Sequence, residues 1–135
     1  MNTPVADAPV TNTPLTFTAP MPGLESVRDF TLRSVDGAAG LYALEAGSPI
    51  PLRLFLADAA VFVPAYAPPV PAAAMEALDV EPGGTPQVLV VINHSPGATT
   101  VNLMAPLVLN PANRRCTQLV LDGRDYPLRA DLSSL

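Results

Sequence analysis

Seventeen prolines among 135 residues constrain this chain more than any other feature. Proline locks φ, lacks an amide donor and breaks helix interiors, so long helices are suppressed, whereas strand edges and turns accept it. Turn signals recur every ten residues or so, which predicts an all-β sandwich or small antiparallel barrel of short strands. The one stretch rich in strong helix formers is Ala72 to Leu78, AAAMEAL. It predicts a single short helix near residues 71–79.

Residues 1–16 hold three prolines among Thr, Asn and Asp without apolar periodicity over most of their length, and read as a disordered leader. Residues 17–135 read as one domain. Pro20, Pro22 and Gly23 predict a turn, and Phe30 to Arg33 alternates apolar with polar residues as a strand does. After the turn at Asp36-Gly37 come strand candidates at Leu41 to Glu45, Leu52 to Leu56 and Val61 to Val63. Gln87 to Ile92 is apolar on both faces and predicts a central strand buried on two sides. Ser95-Pro96-Gly97 joins it to a partner at Thr99 to Leu103 as a hairpin. Two further strands, Leu107 to Asn110 and Gln118 to Leu121, flank the polar loop Pro111 to Arg115.

Composition narrows function. The net charge is −5, and the seven basic residues are all arginines spread along the chain, a poor match to nucleic-acid binding, which needs concentrated positive charge. Such a chain is drawn instead to a basic partner. The longest aliphatic run, Val88 to Ile92, is too short to span a bilayer, and the first fifteen residues carry no secretory pattern. With the lone Cys116 this points to the cytoplasm, to no disulfide within the chain, and to no zinc site.

No constellation for catalysis emerges. His94 adjoins Ser95 in a turn, and neighbours in sequence need not form a catalytic pair; a surface histidine is the plainer reading. Cys116 follows Arg114 and Arg115, which could lower its pKa, yet it reads more simply as a small apolar residue beside a loop. Asp122, Asp125 and Asp131 match no calcium loop. The expectation is a protein without enzymatic activity, cofactor or metal. The rival readings are a small β-barrel enzyme with a pocket joining His94 to a carboxylate, and a structural β-domain. Glu76, Asp79 and Glu81 form the one acidic cluster near the predicted helix.

The C-terminal half carries a more specific signal. TTVNLMAPLVLNPANRRCTQLVLDGRDYPLR resembles the signature of the FliW flagellar assembly factors, through Thr100, Asn102, Leu103, Ala105, Pro106, Asn110, Arg114, Gln118 and Tyr126. Upstream, Phe17 and Met21-Pro22-Gly23-Leu24 resemble the family's opening motif, and the likeness runs from about Phe17 to Leu132. The chain departs from the family pattern in its Pro-rich start, in Asp58-Ala59 where Asp-Pro or Asn-Pro is usual, in Pro20 where Gly is usual, and in lacking lysines beside Arg114 and Arg115.

The resemblance implies a cytoplasmic protein that binds the carbon storage regulator CsrA, relieving its repression of flagellin translation, and that also binds flagellin in a partner switch. It implies no direct contact with nucleic acid or membrane. Apart from the resemblance, Glu76, Asp79 and Glu81 are expected to contribute to docking the repressor, because no other acidic cluster accompanies the predicted helix. Pro22, Gly23, Thr100, Asn102, Leu103, Ala105, Pro106, Asn110, Gln118 and Tyr126 are expected to be mainly structural.

Overall fold

In the computed structural model the described residues are 13–19, 21, 27, 30–35, 37–47, 51–81, 83–121 and 126–131. The elements in chain order are β1 (Thr13–Phe17), β2 (Phe30–Ser34), β3 (Leu41–Ala46), β4 (Leu52–Asp58), α1 (Ala59–Phe62), α2 (Ala72–Ala77), β5 (Gln87–Ser95), β6 (Ala98–Val101), β7 (Leu107–Asn110), β8 (Arg115–Gln118) and β9 (Ala130–Asp131). The strand order β4-β3-β2-β1-β8-β7-β5, with β5 pairing back to β4, closes a seven-strand barrel; β6 and β9 extend from β5. Among the described residues every pairing is antiparallel except one. β1 and β8 run parallel, in register at Thr16 with Arg115 and Phe17 with Cys116, a departure from the all-antiparallel expectation.

Alternation along the strands builds two cores. Leu15 of β1, Phe30 and Leu32 of β2, Leu44 and Ala46 of β3, Leu56 of β4, Leu89 of β5, Leu107 and Leu109 of β7 and Cys116 of β8 fill the barrel. The intervening residues face outward, where Ala57 of β4 and Val90 of β5 join Ala59, Val63, Val101, Leu103 and Ala130 in a second cluster outside the wall. β5 thus contributes Leu89 to one core and Val90 to the other. This double burial is why its sequence is apolar on both faces.

Four expectations need correction. Residues 13–16, assigned to the leader, are strand; 1–12 lie outside the described residues, as do Pro20, Pro22 and Gly23. Pro14 is tolerated in β1 because Thr16 and Thr18 donate their amides to Arg114 and Cys116 of the β8 side. Alternation places the missing amide of Pro14 on that same side, before β8 begins.

Val61 to Val63 is not a strand: Asp58 accepts from the Ala60 amide at 3.0 Å and starts a one-turn helix, with buried Ala59 in the first-turn position that proline also favours. The helix count is therefore two among the described residues. The last strand is shifted, since β8 begins at Arg115 and ends at Gln118, leaving Pro111 to Arg114 as a tight hairpin loop in which Arg114 adopts φ 63°. Leu119 and Leu121 still donate to the Pro106 and Met104 carbonyls, but Val120 between them is half exposed and no strand is formed.

Candidate functional site

The segment Asn102 to Pro106 has its polar groups turned inward. Asn102 Oδ1 accepts from the amides of Met104 and Ala105 at 2.9 and 3.2 Å, closing a turn over its own backbone. The Asn102 amide donates to Val91, and that of Leu103 to Pro127. Carbonyls are equally occupied: Leu103 by the Tyr66 hydroxyl, Ala105 by Gln118 Nε2 at 3.2 Å, and Met104 and Pro106 by the Leu121 and Leu119 amides. Tyr66 stacks edge-on against Tyr126 with ring centroids 5.3 Å apart, and its hydroxyl pKa is pushed well up, first by burial and then by Tyr126. Thr100 pairs with Asn93 and Asp131 across β5 and β9. These side chains brace the junction between β6 and β7. Little of them is left for a partner.

The end of α2 is built differently. Six residues cannot sustain a helix alone, so its terminus must be held from outside. Asp79 takes φ 59°, its amide bonding to Glu76 and the Val80 amide to Met75, the Schellman pattern that normally uses glycine. The next carbonyls are met by the β7–β8 hairpin: Ala77 by Arg115 Nη1 at 3.4 Å, Leu78 by Asn110 and Asn113 Nδ2, each at 3.0 Å, and Asp79 by Asn110 Nδ2 at 3.2 Å. Asn110 also holds the Ala112 amide at 3.0 Å, so one buried side chain ties hairpin to helix. A signature residue thereby positions the acidic one.

With the backbone satisfied, the side chains of Glu76, Asp79 and Glu81 project into solvent. Among the described residues neither ion pair involves them. Asp79 and Glu81 rim a cleft shared with Asn110 and Asn113. Carboxylates at the C-terminal end of a helix oppose its dipole and repel one another, so this placement does not serve helix stability.

The remaining candidates for chemistry separate. His94 Nδ1 lies 3.0 Å from Thr99 Oγ1 across the β5–β6 hairpin, and none of the hydrogen bonds among the described residues joins it to a carboxylate. Cys116 lies inside the barrel, where burial pushes its thiol up to about 12, the opposite of activation by the neighbouring arginines. Asp122 and Asp125 lie outside the described residues; within the described residues there is no metal-binding group of His, Cys, Asp and Glu, and no helix is long and apolar enough to cross a membrane.

Sequence reasoning missed the donor set of Asn110, Asn113 and Arg115. The polar run Pro111 to Arg115 was its only trace.

Fold and site together define a small closed β-barrel whose internal polar groups serve its own backbone, with an acidic helix end held rigid at the surface. The FliW protein family model matches residues 5–132. The flagellar assembly factor FliW of Thermotoga maritima is 32% identical over 130 residues, covering 87% of this chain and 81% of that protein. That of Moorella thermoacetica is 28% identical over 121 residues, covering 87% and 77%. A crystal structure of the flagellar assembly factor FliW superposes with a TM-score of 0.79 at 21% identity, covering 88% of this chain and 84% of the other. The chain belongs to the FliW family of flagellar assembly factors.

Proposed function

We propose that this protein acts in the cytoplasm as a non-catalytic partner switch, binding CsrA to relieve its repression of flagellin translation and binding flagellin in alternation. Family membership supports the general role in flagellar assembly. The observation that carries the finer reading is the rigid, exposed acidic end of α2, where Glu76, Asp79 and Glu81 meet no cation in an ion pair among the described residues. A protein that binds RNA presents basic surface, and opposed charge accelerates encounter with it. The helix end is also pre-organised, so docking there orders little that is not already ordered.

The test is association with purified CsrA by biolayer interferometry, comparing wild type with Glu76→Lys, Asp79→Lys and Glu81→Lys combined. The variant should lose on-rate most at low salt and converge toward wild type as salt rises. An unchanged on-rate at low salt removes the acidic end from the interface. Failure of the wild-type protein to co-elute with either CsrA or flagellin removes the partner switch while leaving the fold intact.

A further inference from the structure

β1 is held lightly in the barrel wall. Among the described residues its ladder to β2 covers Thr13, Pro14 and Leu15, of which Pro14 has no amide to give, and its ladder to β8 covers Thr16 and Phe17 alone. β3 and β4, by contrast, pair without a break from Leu41 with Ala57 to Ala46 with Leu52. Of the β1 side chains only Leu15 is buried, and Phe17 packs on Phe30 with ring centroids 4.8 Å apart.

The seam between β1 and β8 reaches the hairpin tip that grips α2. Thr16 donates its amide to the Arg114 carbonyl at 3.0 Å, and the Arg114 amide donates to the Asn110 carbonyl at 2.8 Å. Between these two bonds Arg114 stands at φ 63°, in the left-handed region that a residue with a Cβ leaves unless contacts hold it there. Its neighbours on either side are two of the three residues that hold the helix end: Asn113 donates to the Leu78 carbonyl and Arg115 to that of Ala77. Asn113 Oδ1 also accepts the Arg115 amide across Arg114, at 3.0 Å. The third, Asn110, supplies the carbonyl that Arg114 itself bonds.

We propose that β1 and the end of α2 open and close as one unit through Arg114, so that the seating of β1 on β8 governs how firmly the acidic end is presented. Unseating β1 takes the Thr16 amide from Arg114 and frees a strained residue to relax. Asn113 and Arg115 turn with it, and the Leu78 and Ala77 carbonyls lose donors. A helix of six residues has no stability of its own with which to keep its last turn. Thr16 is therefore a positioning residue for carboxylates that it does not touch. A ligand that favours seated β1 strengthens binding at the acidic end, and one that displaces β1 weakens it, by the same coupling. The opening unit stands on the fold; its consequence for a partner rests on the reading of the acidic end as the CsrA surface.

Amide hydrogen exchange of the whole protein, followed by NMR over a range of low urea concentrations, tests the inference. The Thr16, Thr18, Leu78, Asp79 and Val80 amides should share one opening free energy and one urea slope, both below those of the β3–β4 ladder. Different slopes for the β1 and α2 amides, or a single opening that also takes in the β3–β4 ladder, overturns it. Thr16→Pro should speed exchange at Leu78, Asp79 and Val80 roughly fivefold, the factor that one lost backbone hydrogen bond supplies. Thr16→Val, which keeps the amide, should exchange there at the wild-type rate. Unchanged exchange at those three amides in folded Thr16→Pro also overturns the inference, and if that variant does not fold the wild-type slopes decide. Saturating CsrA should slow exchange at Thr16 and Thr18 as much as at the helix end, because a ligand held by the closed form stabilises every amide that opens with it. Slowing confined to the helix end breaks the coupling. If CsrA does not bind at all, the slopes in the free protein still decide the opening unit, so its failure and that of the CsrA reading are distinguishable.

Discussion

Asn102 to Pro106 and the end of α2 are both irregular, polar-rich segments on the same barrel, yet their side chains do opposite work. In the first, amide, carbonyl and side-chain groups bond to one another and to Tyr66 and Gln118. In the second, the backbone is satisfied by Asn110, Asn113 and Arg115, and the carboxylates are left over. The signature residues of Asn102 to Pro106 thus bond largely within the scaffold, and the acids proposed to meet a partner are generic residues whose value lies in where the scaffold holds them.

That contrast breaks most readily at Asn110. Asn110→Ala should cost about 2–3 kcal/mol, because the Asp79 carbonyl and the Ala112 amide lose their side-chain partner and the Leu78 carbonyl is left with Asn113 alone. A fall in urea midpoint at unchanged m measures it. Faster hydrogen exchange at the Leu78 to Val80 amides would show that the helix end loosens first.

Asn102→Ala should cost about 1–2 kcal/mol, the range for a side chain capping two backbone amides, without altering affinity for CsrA. A loss of affinity at full folding would move Asn102 into the interface and erase the distinction.

Neutralising the acidic end with Glu76→Gln, Asp79→Asn and Glu81→Gln should act in reverse. Stability should rise by a few tenths of a kcal/mol as like-charge repulsion and opposition to the helix dipole are removed. Association with CsrA should slow at low salt. A thermal melt beside the binding assay reads both, and a stability loss would show that the carboxylates serve the fold.

The smallest effect is expected at Glu45, a partly exposed acid that does have partners. Hydrogen bonding to Arg33, and then Arg53, holds its carboxyl below the usual value, although partial desolvation acts the other way. A depressed folded-state pKa stabilises above the unfolded-state value and is lost as pH falls through the folded one. The difference in urea midpoint between wild type and Glu45→Gln should therefore be present at neutral pH and vanish in acid. It should also shrink with salt, as for any surface pair.

What could be read from the sequence was local. The strand Leu107 to Asn110, the helix at Ala72 and the turn before Gly97 carry their own short-range chemistry, and each appears where its residues place it. Val61 to Val63 misled because β-branched residues favour strands, while the Asp58 cap that starts a helix there is a single side chain. Arg115 reads as loop by polarity but faces outward from a strand whose next residue, Cys116, is buried. The return of β5 to β4, and the reach of Asn110 to α2, join residues far apart in the chain. Neither leaves a periodicity behind, and the motif that contains Asn110 does not point to α2.

The parallel seam between β1 and β8 sets an order of events. Thr16 meets Arg115 and Phe17 meets Cys116, so during synthesis β1 must wait for β8 to be made before its second edge is paired. Until then, among the described residues, β1 has only β2 beside it, through three residue pairs that include Pro14. The wall therefore closes late in synthesis, and whatever keeps that unpaired edge from meeting another chain in the interval acts on a nascent intermediate that the finished barrel conceals.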